Sequence, residues 1–531
     1  MSPSLLPRTW LLQGLLSGLC ALAGYGLGVA FVTLGGGLVR ILDLQVTIGH
    51  HQGRVLQVGS VIAGVALFGW ATVSNIRSQA VTAAVVHLAP LTPLQWAGAF
   101  AVLAGVFGVG LGAARGLGWA GDRVRRGTIR ILPASLATAA AVVVVTVVVA
   151  LFTDIVVIGN AAEMISRAAA TSNSRTPPGR VPPTSPLVSG GPGSSETYAS
   201  LGFEGQRFVT GAPTVDQIGA ATGVPAREPI RIYASFLAHP SLAATADAVV
   251  AELQRTGGFE RSVLAVVTTT GTGWVNEWSM QSVEYLTGGD CATATMQYSL
   301  LPSAATVLAD RATPPLAARL LFDAVYAAWL ARPPEHRPRL VVTGNSLGGY
   351  GGNGAFSDVE DMLHRAQGGV WSGTPRFTPI VDSLMANRTQ GSPEIAPVID
   401  SGRHIRFVSG TQGLSVDYVG RSLARWEQPR FVYLQHPSDP VVWWSPPLMY
   451  SQPDWLREPR GHDVNPDMRW YPYATFWQLA SDMTVGWSPP SGFGHRYGPE
   501  LVPVWAAVLG QDTRDVSTLT AAIARTVPDD E

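Results

Sequence analysis

The sequence contains no lysine: all 36 basic residues are arginine, and with 58 glycines and 39 prolines this points to a GC-rich genome. Charge is scarce as well, at 14% of residues, with a formal net charge of -1. A chain so balanced projects no long-range field toward a polyanion, which argues against a nucleic-acid partner. Only two cysteines occur, Cys20 in an apolar run and Cys291 beside a predicted strand. That argues against a disulfide framework, and both are expected as packed free thiols. There is no H-E-x-x-H, and the histidines show no clustered ligand spacing. A metal-dependent hydrolase is therefore poorly supported, and no metal or cofactor is expected.

At 531 residues the chain exceeds one ordinary domain, and its first 160 residues read as a different material from the rest. Four apolar stretches, 10–32, 55–73, 94–114 and 132–152, are long enough or nearly so to cross a bilayer. The first is too long for a secretory h-region and three more follow it, so residues 1–160 are expected to form an all-α transmembrane bundle of about four helices. Arg40 and Arg54 fall between the first two spans, and Arg115, Arg123, Arg125, Arg126 and Arg130 between the last two. Both loops should then be cytoplasmic, with the loop carrying Arg77 outside and everything after the fourth span extracytoplasmic. Small residues (Gly24, Gly26, Gly28, Gly35, Gly36, Gly37) suggest close helix contact. Charges inside the spans are almost absent, so bundle packing is preferred to a transport pathway. Asp154 reads as an interfacial residue.

From 171 to 197 the chain is dominated by Ser, Thr, Pro and Gly, with little to bury, and an extended tether is expected within a linker 161–197. Beyond it, β-rich runs at 230–236, 263–268, 292–299, 340–343, 404–408 and 430–434 alternate with helical pieces such as 316–330. Continuous apolar strands separated by helices predict an α/β domain over 198–531, with a mostly parallel sheet covered on both faces.

The sharpest feature is Leu340-Val341-Val342-Thr343-Gly344-Asn345-Ser346-Leu347-Gly348-Gly349-Tyr350, an apolar strand running directly into G-x-S-x-G. The pattern matches a nucleophile elbow: a serine on a tight strand-to-helix turn, with Gly344 and Gly348 leaving room for close backbone approach. Ser346 is the expected nucleophile. The Leu347 N–H, at the start of the following helix, is a natural donor to an oxyanion. A serine nucleophile needs a base, and in this arrangement the chain order is Ser, then Asp or Glu, then His. Asp439 lies in Gln435-His436-Pro437-Ser438-Asp439-Pro440, just after the 430–434 run, which makes it the preferred acid; Asp417, Asp454 and Asp463 are rivals without a comparable preceding strand. His495, in the glycine-rich Ser491-Gly492-Phe493-Gly494-His495-Arg496-Tyr497, is the preferred base over His404, His436 and His462. The run 263–267 leads into Thr268-Thr269-Thr270-Gly271-Thr272-Gly273-Trp274, which offers Thr270 or Gly271 as a second oxyanion donor. Trp443, Trp444, Tyr450, Trp455, Trp470, Tyr471, Tyr473, Phe476, Trp477 and Trp487 crowd between Asp439 and His495 and could roof the site. His436, Trp443 and Trp444 are the candidates to line it. Such rings suit an acyl pocket or a membrane interface, although ordinary packing accounts for about half of an aromatic set like this.

At these residues the chain resembles a family of bacterial, chiefly actinobacterial, membrane proteins described as α/β-hydrolases with their own N-terminal membrane domain. The likeness runs through Ser2-Pro3-Ser4-Leu5-Leu6-Pro7-Arg8, Thr270-Gly271-Thr272-Gly273-Trp274, Gln297-Tyr298-Ser299-Leu300-Leu301-Pro302-Ser303, the serine elbow, Gln435 through Trp444, and Gly494-His495. The resemblance implies an α/β-hydrolase fold, a serine hydrolase at the cell envelope, and Ser346, Asp439 and His495 as its triad; it does not supply a substrate. In such proteins a further hydrophobic segment often precedes the S-P-S-L-L-P-R motif, which here starts the chain. A missing span would put the N-terminus inside and leave the hydrolase outside.

Tethering to a bilayer concentrates lipid substrates, so the expected partner is a membrane lipid or lipid ester, cleaved through an acyl-enzyme. Two rivals share these features. A lipid acyltransferase or transacylase would use the same triad and differ only in the second acceptor. A catalytically silent envelope scaffold would have no chemical need for Ser, Asp and His in this order.

Overall fold

The computed structural model describes residues 3–43, 49–151 and 160–527. The chain divides into two compact units, one mainly Pro7–Ala84 and Leu88–Met164, the other Ile165–Glu531 with the short pieces Ser4–Leu6 and Val85–His87.

The first unit is helical: α1 (Trp10–Ile41), α2 (His50–Val85), α3 (Pro93–Thr128) and α4 (Ala134–Leu151). The first three are long and apolar enough to cross a membrane. Their outward faces carry large apolar side chains such as Phe31 and Val65, 81% and 69% exposed. The fourth expected span appears as a shorter apolar helix, Ala134–Val149, and its expected end, with Asp154, lies outside the described residues. α2 and α3 have 36 residues each. At 1.5 Å per residue they run about 54 Å, well past ~30 Å of hydrocarbon. Arg77 therefore sits inside α2, and Arg115, Arg123, Arg125 and Arg126 inside α3, rather than in loops.

Small residues do bring helices together in this unit, but not at the positions expected. A methyl on Gly14 would lie 2.5 Å from the Ala99 carbonyl oxygen, and one on Gly18 2.7 Å from Val106, so α1 and α3 approach through Gly14 and Gly18. At Gly24, Gly26, Gly28, Gly35, Gly36 and Gly37 an added Cβ would have nothing within 4 Å among the described residues. Glycine content alone does not tell which face of a helix meets a neighbour.

In the second unit seven strands form one all-parallel sheet: β1 (Ile230–Ser235), β2 (Val263–Thr268), β3 (Cys291–Gln297), β4 (Arg339–Asn345), β5 (Gly368–Ser372), β6 (Ile405–Val408) and β7 (Arg430–Leu434), in the order β1-β3-β2-β4-β5-β7-β6. Successive residues of the central strands feed two separate cores, as a two-residue pleat requires. Leu264, Val266, Leu340, Val342 and Phe431 pack with the helices Leu242–Thr256 and Thr313–Leu330. Val263, Ala265, Val341, Val370 and Val432 pack with Glu277–Leu286 and Leu501–Val508. Burial on both faces explains why the strands read as unbroken apolar runs. β5 was not among the expected strands: its sequence, GGVWS, opens with two glycines, which weaken any strand signal. Gly369 is nevertheless required there, because a Cβ would meet the Val342 carbonyl oxygen of β4 at 2.6 Å.

The register brings the carboxyl ends of the central strands level. Thr268 of β2 pairs with Gly344 of β4, Asn345 with Ser372 of β5, and Ser372 with Leu434 of β7. The loops leaving these ends carry Thr270, Ser346, Gly373 and Asp439.

Two segments outside the sheet differ from a simple linker and terminus. The stretch 171–197 does not hang free: Val188 bridges Arg231 of β1, the Ser189 N–H donates to the Arg231 carbonyl (3.1 Å), and Ser194 and Ser195 bond the Glu252 carboxylate. Backbone C=O and N–H groups along the outer edge of β1 need partners, and a polar segment can supply them as well as an apolar one: Ser189 Oγ also accepts the Tyr233 N–H at 3.1 Å. From the S-P-S-L-L-P-R motif, Leu5 and Leu6 are fully buried, and their N–H groups donate to Asp482 Oδ2 at 3.0 and 3.4 Å.

Candidate active site

Ser346 sits between β4 and the helix Leu347–Asn353 with φ 58° and ψ -122°, a conformation that non-glycine residues rarely adopt. Holding it costs about 1–3 kcal/mol, which the surrounding contacts must offset. Its N–H donates to the Ser372 carbonyl at 2.9 Å, fastening the turn to the end of β5. The two flanking glycines are sterically required. A Cβ on Gly344 would lie 2.3 Å from the Gly348 carbonyl oxygen, and one on Gly348 2.3 Å from that of Thr268. Leu347 begins the helix, where the first N–H groups have no intrahelical acceptor. Both Ser346 and Leu347 face one cavity.

Asp439 follows β7 and caps the short helix Pro440–Trp443, its Oδ1 accepting the N–H groups of Val441 (2.8 Å) and Val442 (3.4 Å). Its Oδ2 lies 2.7 Å from Nδ1 of His495. A carboxylate accepts, so Nδ1 is the nitrogen that donates here, and Nε2 is the ring nitrogen left to take up a proton. That Nε2 is buried and has no hydrogen-bond partner among the described residues, while the ring lines the same cavity as Ser346.

The two loops that bring Asp439 and His495 together are cross-tied. The Gly494 N–H donates to Ser438 Oγ (2.9 Å), Ser438 Oγ donates to Asp463 Oδ2 (2.5 Å), and the His495 N–H donates to the Gly486 carbonyl (2.8 Å). Beneath them, His436 Nδ1 bonds the Gly494 carbonyl (2.9 Å), and its Nε2 lies 3.2 Å from Glu500 Oε1, an ion-pair distance without hydrogen-bond alignment. Burial pulls the His436 imidazolium down, but Glu500, the Gly494 carbonyl and Asp439 together leave its pKa above the ordinary histidine value. Gly373, after β5, has φ 60°; a Cβ there would meet His495 Cε1 and Tyr497 Cε2, each at 2.7 Å. Sequence reasoning missed Gly373 because it missed β5.

The cavity has a volume of about 810 Å³ and a mostly apolar wall, including Val307, Leu308, Phe377, Val441, Trp444, Met449, Phe476, Trp477, Met483 and Trp487. Its charged lining residues among those described are Glu204 and Arg311. Of the ten aromatics expected as a roof, Trp444, Phe476, Trp477 and Trp487 line it.

Two of the three expected lining residues are corrected. His436 is fully buried under the Tyr497 ring, 4.2 Å between centroids, and the Trp443 indole N–H donates inward to the His436 carbonyl at 3.1 Å. Both hold the loop from behind, and only Trp444 reaches the cavity. The rival acids and bases are engaged elsewhere: Asp417 with Arg421, Asp454 with Arg388, Asp463 with Ser438, and His404 Nδ1 with the Pro429 carbonyl. His462 lies against a separate pocket that includes Asp417 and Tyr418.

The two candidates for a second oxyanion donor separate. Thr270 lines the cavity, but its N–H donates to the Trp274 carbonyl at 3.0 Å. Gly271 does not line the cavity, and a Cβ there would meet the Leu301 carbonyl oxygen at 2.4 Å. At Thr270 the side-chain hydroxyl is the group left to donate. Cys291 is a free, buried thiol whose pKa burial pushes up to about 12, and Cys20 is also free. Among the described residues no cluster of three or more His, Cys, Asp or Glu is placed to hold a metal ion.

Residues 230–521 match the model of the alpha/beta-hydrolase family, and residues 1–213 match that of the alpha/beta-hydrolase family N-terminus. No curated protein and no solved structure matches the chain.

Proposed function

Since the chain belongs to the alpha/beta-hydrolase family, we propose that it is a membrane-anchored serine hydrolase that cleaves ester bonds of membrane or envelope lipids. One observation carries this reading: Ser346, on its strained turn, and His495, held by Asp439, open onto the same large apolar cavity. In this mechanism His495 Nε2 takes the Ser346 hydroxyl proton as Oγ attacks the ester carbonyl. The tetrahedral oxyanion is stabilised by the Leu347 N–H and by a donor from the loop after β2, for which the Thr270 hydroxyl is suited. Collapse of the intermediate breaks the bond to the alcohol, which leaves with the proton from His495. Water, deprotonated by the same Nε2, then attacks the acyl-enzyme and releases a carboxylic acid.

A lipid substrate is favoured because the wall beside Ser346 is aromatic and aliphatic, and because three helices among the described residues are long and apolar enough to cross a membrane. Each buried methylene contributes about 0.8 kcal/mol of binding. By the arginine distribution, and with α4 as the fourth crossing, we place the hydrolase unit on the extracytoplasmic side. Replacing water by a lipid hydroxyl in the second step would turn the same machinery into an acyltransferase. Purified full-length protein in detergent or nanodiscs, given a long-chain lipid ester, is expected to release free fatty acid, and the Ser346→Ala variant to release none. Accumulation of a new acyl lipid without free acid would assign acyl transfer, and equal product from Ser346→Ala would refute the proposal.

A further inference from the structure

Asp439 receives a second side-chain donor that no part of the triad pattern requires. Tyr497 lies two residues beyond His495, is 2% exposed, and places its hydroxyl 2.7 Å from Asp439 Oδ2, the same oxygen that accepts from His495 Nδ1. The direction of this bond is fixed by its surroundings. The backbone N–H of His436, which can only donate, points at the Tyr497 oxygen from 3.2 Å. One phenol lone pair is thereby used, and the phenol proton is left for the carboxylate, which accepts. The ring itself is clamped, parallel to His436 at 4.2 Å and perpendicular to His495 at 5.8 Å between centroids.

Resting on the serine-hydrolase reading above, we propose that Tyr497 is a positioning residue that fixes the Asp439 carboxylate so that its remaining Oδ2 lone pair points at His495 Nδ1. Oδ1 is already anchored by the Val441 and Val442 amides. With three donors other than His495 in place, the carboxylate cannot rotate away when the imidazole moves between its neutral and protonated states. Burial, then the negative charge of Asp439, push the Tyr497 pKa well above its ordinary value, so the phenol keeps its proton over the working range. The assignment is separate from the proton transfers themselves: Tyr497 does not line the cavity and touches no reacting atom.

The test is a double-mutant cycle on full-length protein, with ester turnover and the rate constant of labelling by a fluorophosphonate as readouts. Losing a buried hydrogen bond to a charged acceptor is expected to lower kcat by about tenfold or more in Tyr497→Phe. KM should stay within about twofold, since the apolar wall is untouched. Labelling should slow by the same factor as kcat, and in an Asp439→Asn background Tyr497→Phe should add nothing further. The labelling end-point counts competent sites, so rates referred to it correct for partial misfolding. The size-matched pair Tyr497→Gln and Tyr497→Met adds a second comparison, in which the variant retaining a donor should be the faster. A Tyr497→Phe enzyme with wild-type kcat, or one whose loss persists at full size in the Asp439→Asn background, overturns the proposal. If Ser346→Ala keeps turnover and labelling, the underlying reading fails instead, whatever Tyr497 does.

Discussion

Gly373→Ala perturbs the site with one methyl group and no change in polarity. The added Cβ would meet His495 Cε1 at 2.7 Å and Nδ1 at 3.0 Å, and Tyr497 Cε2 at 2.7 Å, where ordinary contact begins at 3.4 Å. Relief requires the imidazole to retreat by about 3.4 minus 2.7, or roughly 0.7 Å, since backbone on both sides is tied into β5 and the His495 loop. A misplacement of about 1 Å costs on the order of a hundredfold in rate, so a loss of about 10–100-fold in kcat is expected. The substitution also forces alanine to φ 60°, a backbone cost of about 1–2 kcal/mol. Gly391→Ala supplies the control: its φ is 84°, and among the described residues nothing lies within 4 Å of a Cβ there. Both variants should lose comparable stability from the backbone, and only Gly373→Ala should lose turnover beyond the fraction unfolded. Thermal melting and kcat, measured side by side, decide the matter. If Gly373→Ala turns over like Gly391→Ala, the His495 ring is not held against Gly373 as described.

Three further outcomes follow from other parts of the molecule. Across a homologous series of acyl esters, kcat/KM should rise about fourfold per methylene, the equivalent of ~0.8 kcal/mol, until the cavity of about 810 Å³ is filled; a flat series would dissociate the apolar wall from the substrate. Because the folded-state pKa of His436 is raised, its pairing with Glu500 stabilises the fold fully below about pH 6.5 and less as pH climbs through the raised value. The melting-temperature gap between wild type and Glu500→Gln should therefore be wider at pH 6 than at pH 8.5, and a gap that widens toward alkaline pH would contradict the pairing. The Cys291 thiol, buried with a pKa pushed up to about 12, should escape iodoacetamide at pH 8 in the native protein and react on denaturation; native-state alkylation there would show that β3 opens.

The parts of the site that could be read from sequence share a physical property: each is local. The elbow states its own geometry in five contiguous residues, and Asp439 and His495 each follow a recognisable strand or glycine-rich turn. What lay beyond reach depends on packing between segments. Tyr497 carries no motif, and its role emerges only when the chain folds its hydroxyl onto Asp439, 58 positions earlier. β5 was masked by its glycines, and with it the contact of Gly373 on His495. His436 and Trp443 sit in the right loop but turn inward, a choice set by the Gly494 carbonyl and the His436 carbonyl rather than by residue type. In the helical unit, composition located the apolar spans but not the glycines at which α1 and α3 meet.

Peptide mapping of the fluorophosphonate adduct decides whether Ser346 is the activated nucleophile. Full-length protein labelled in detergent should carry a single covalent phosphonate, located by mass spectrometry on the Ser346 hydroxyl. That adduct should be absent in Ser346→Ala and should form far more slowly in His495→Ala. An adduct on any other residue, or undiminished labelling of Ser346→Ala, would contradict the account.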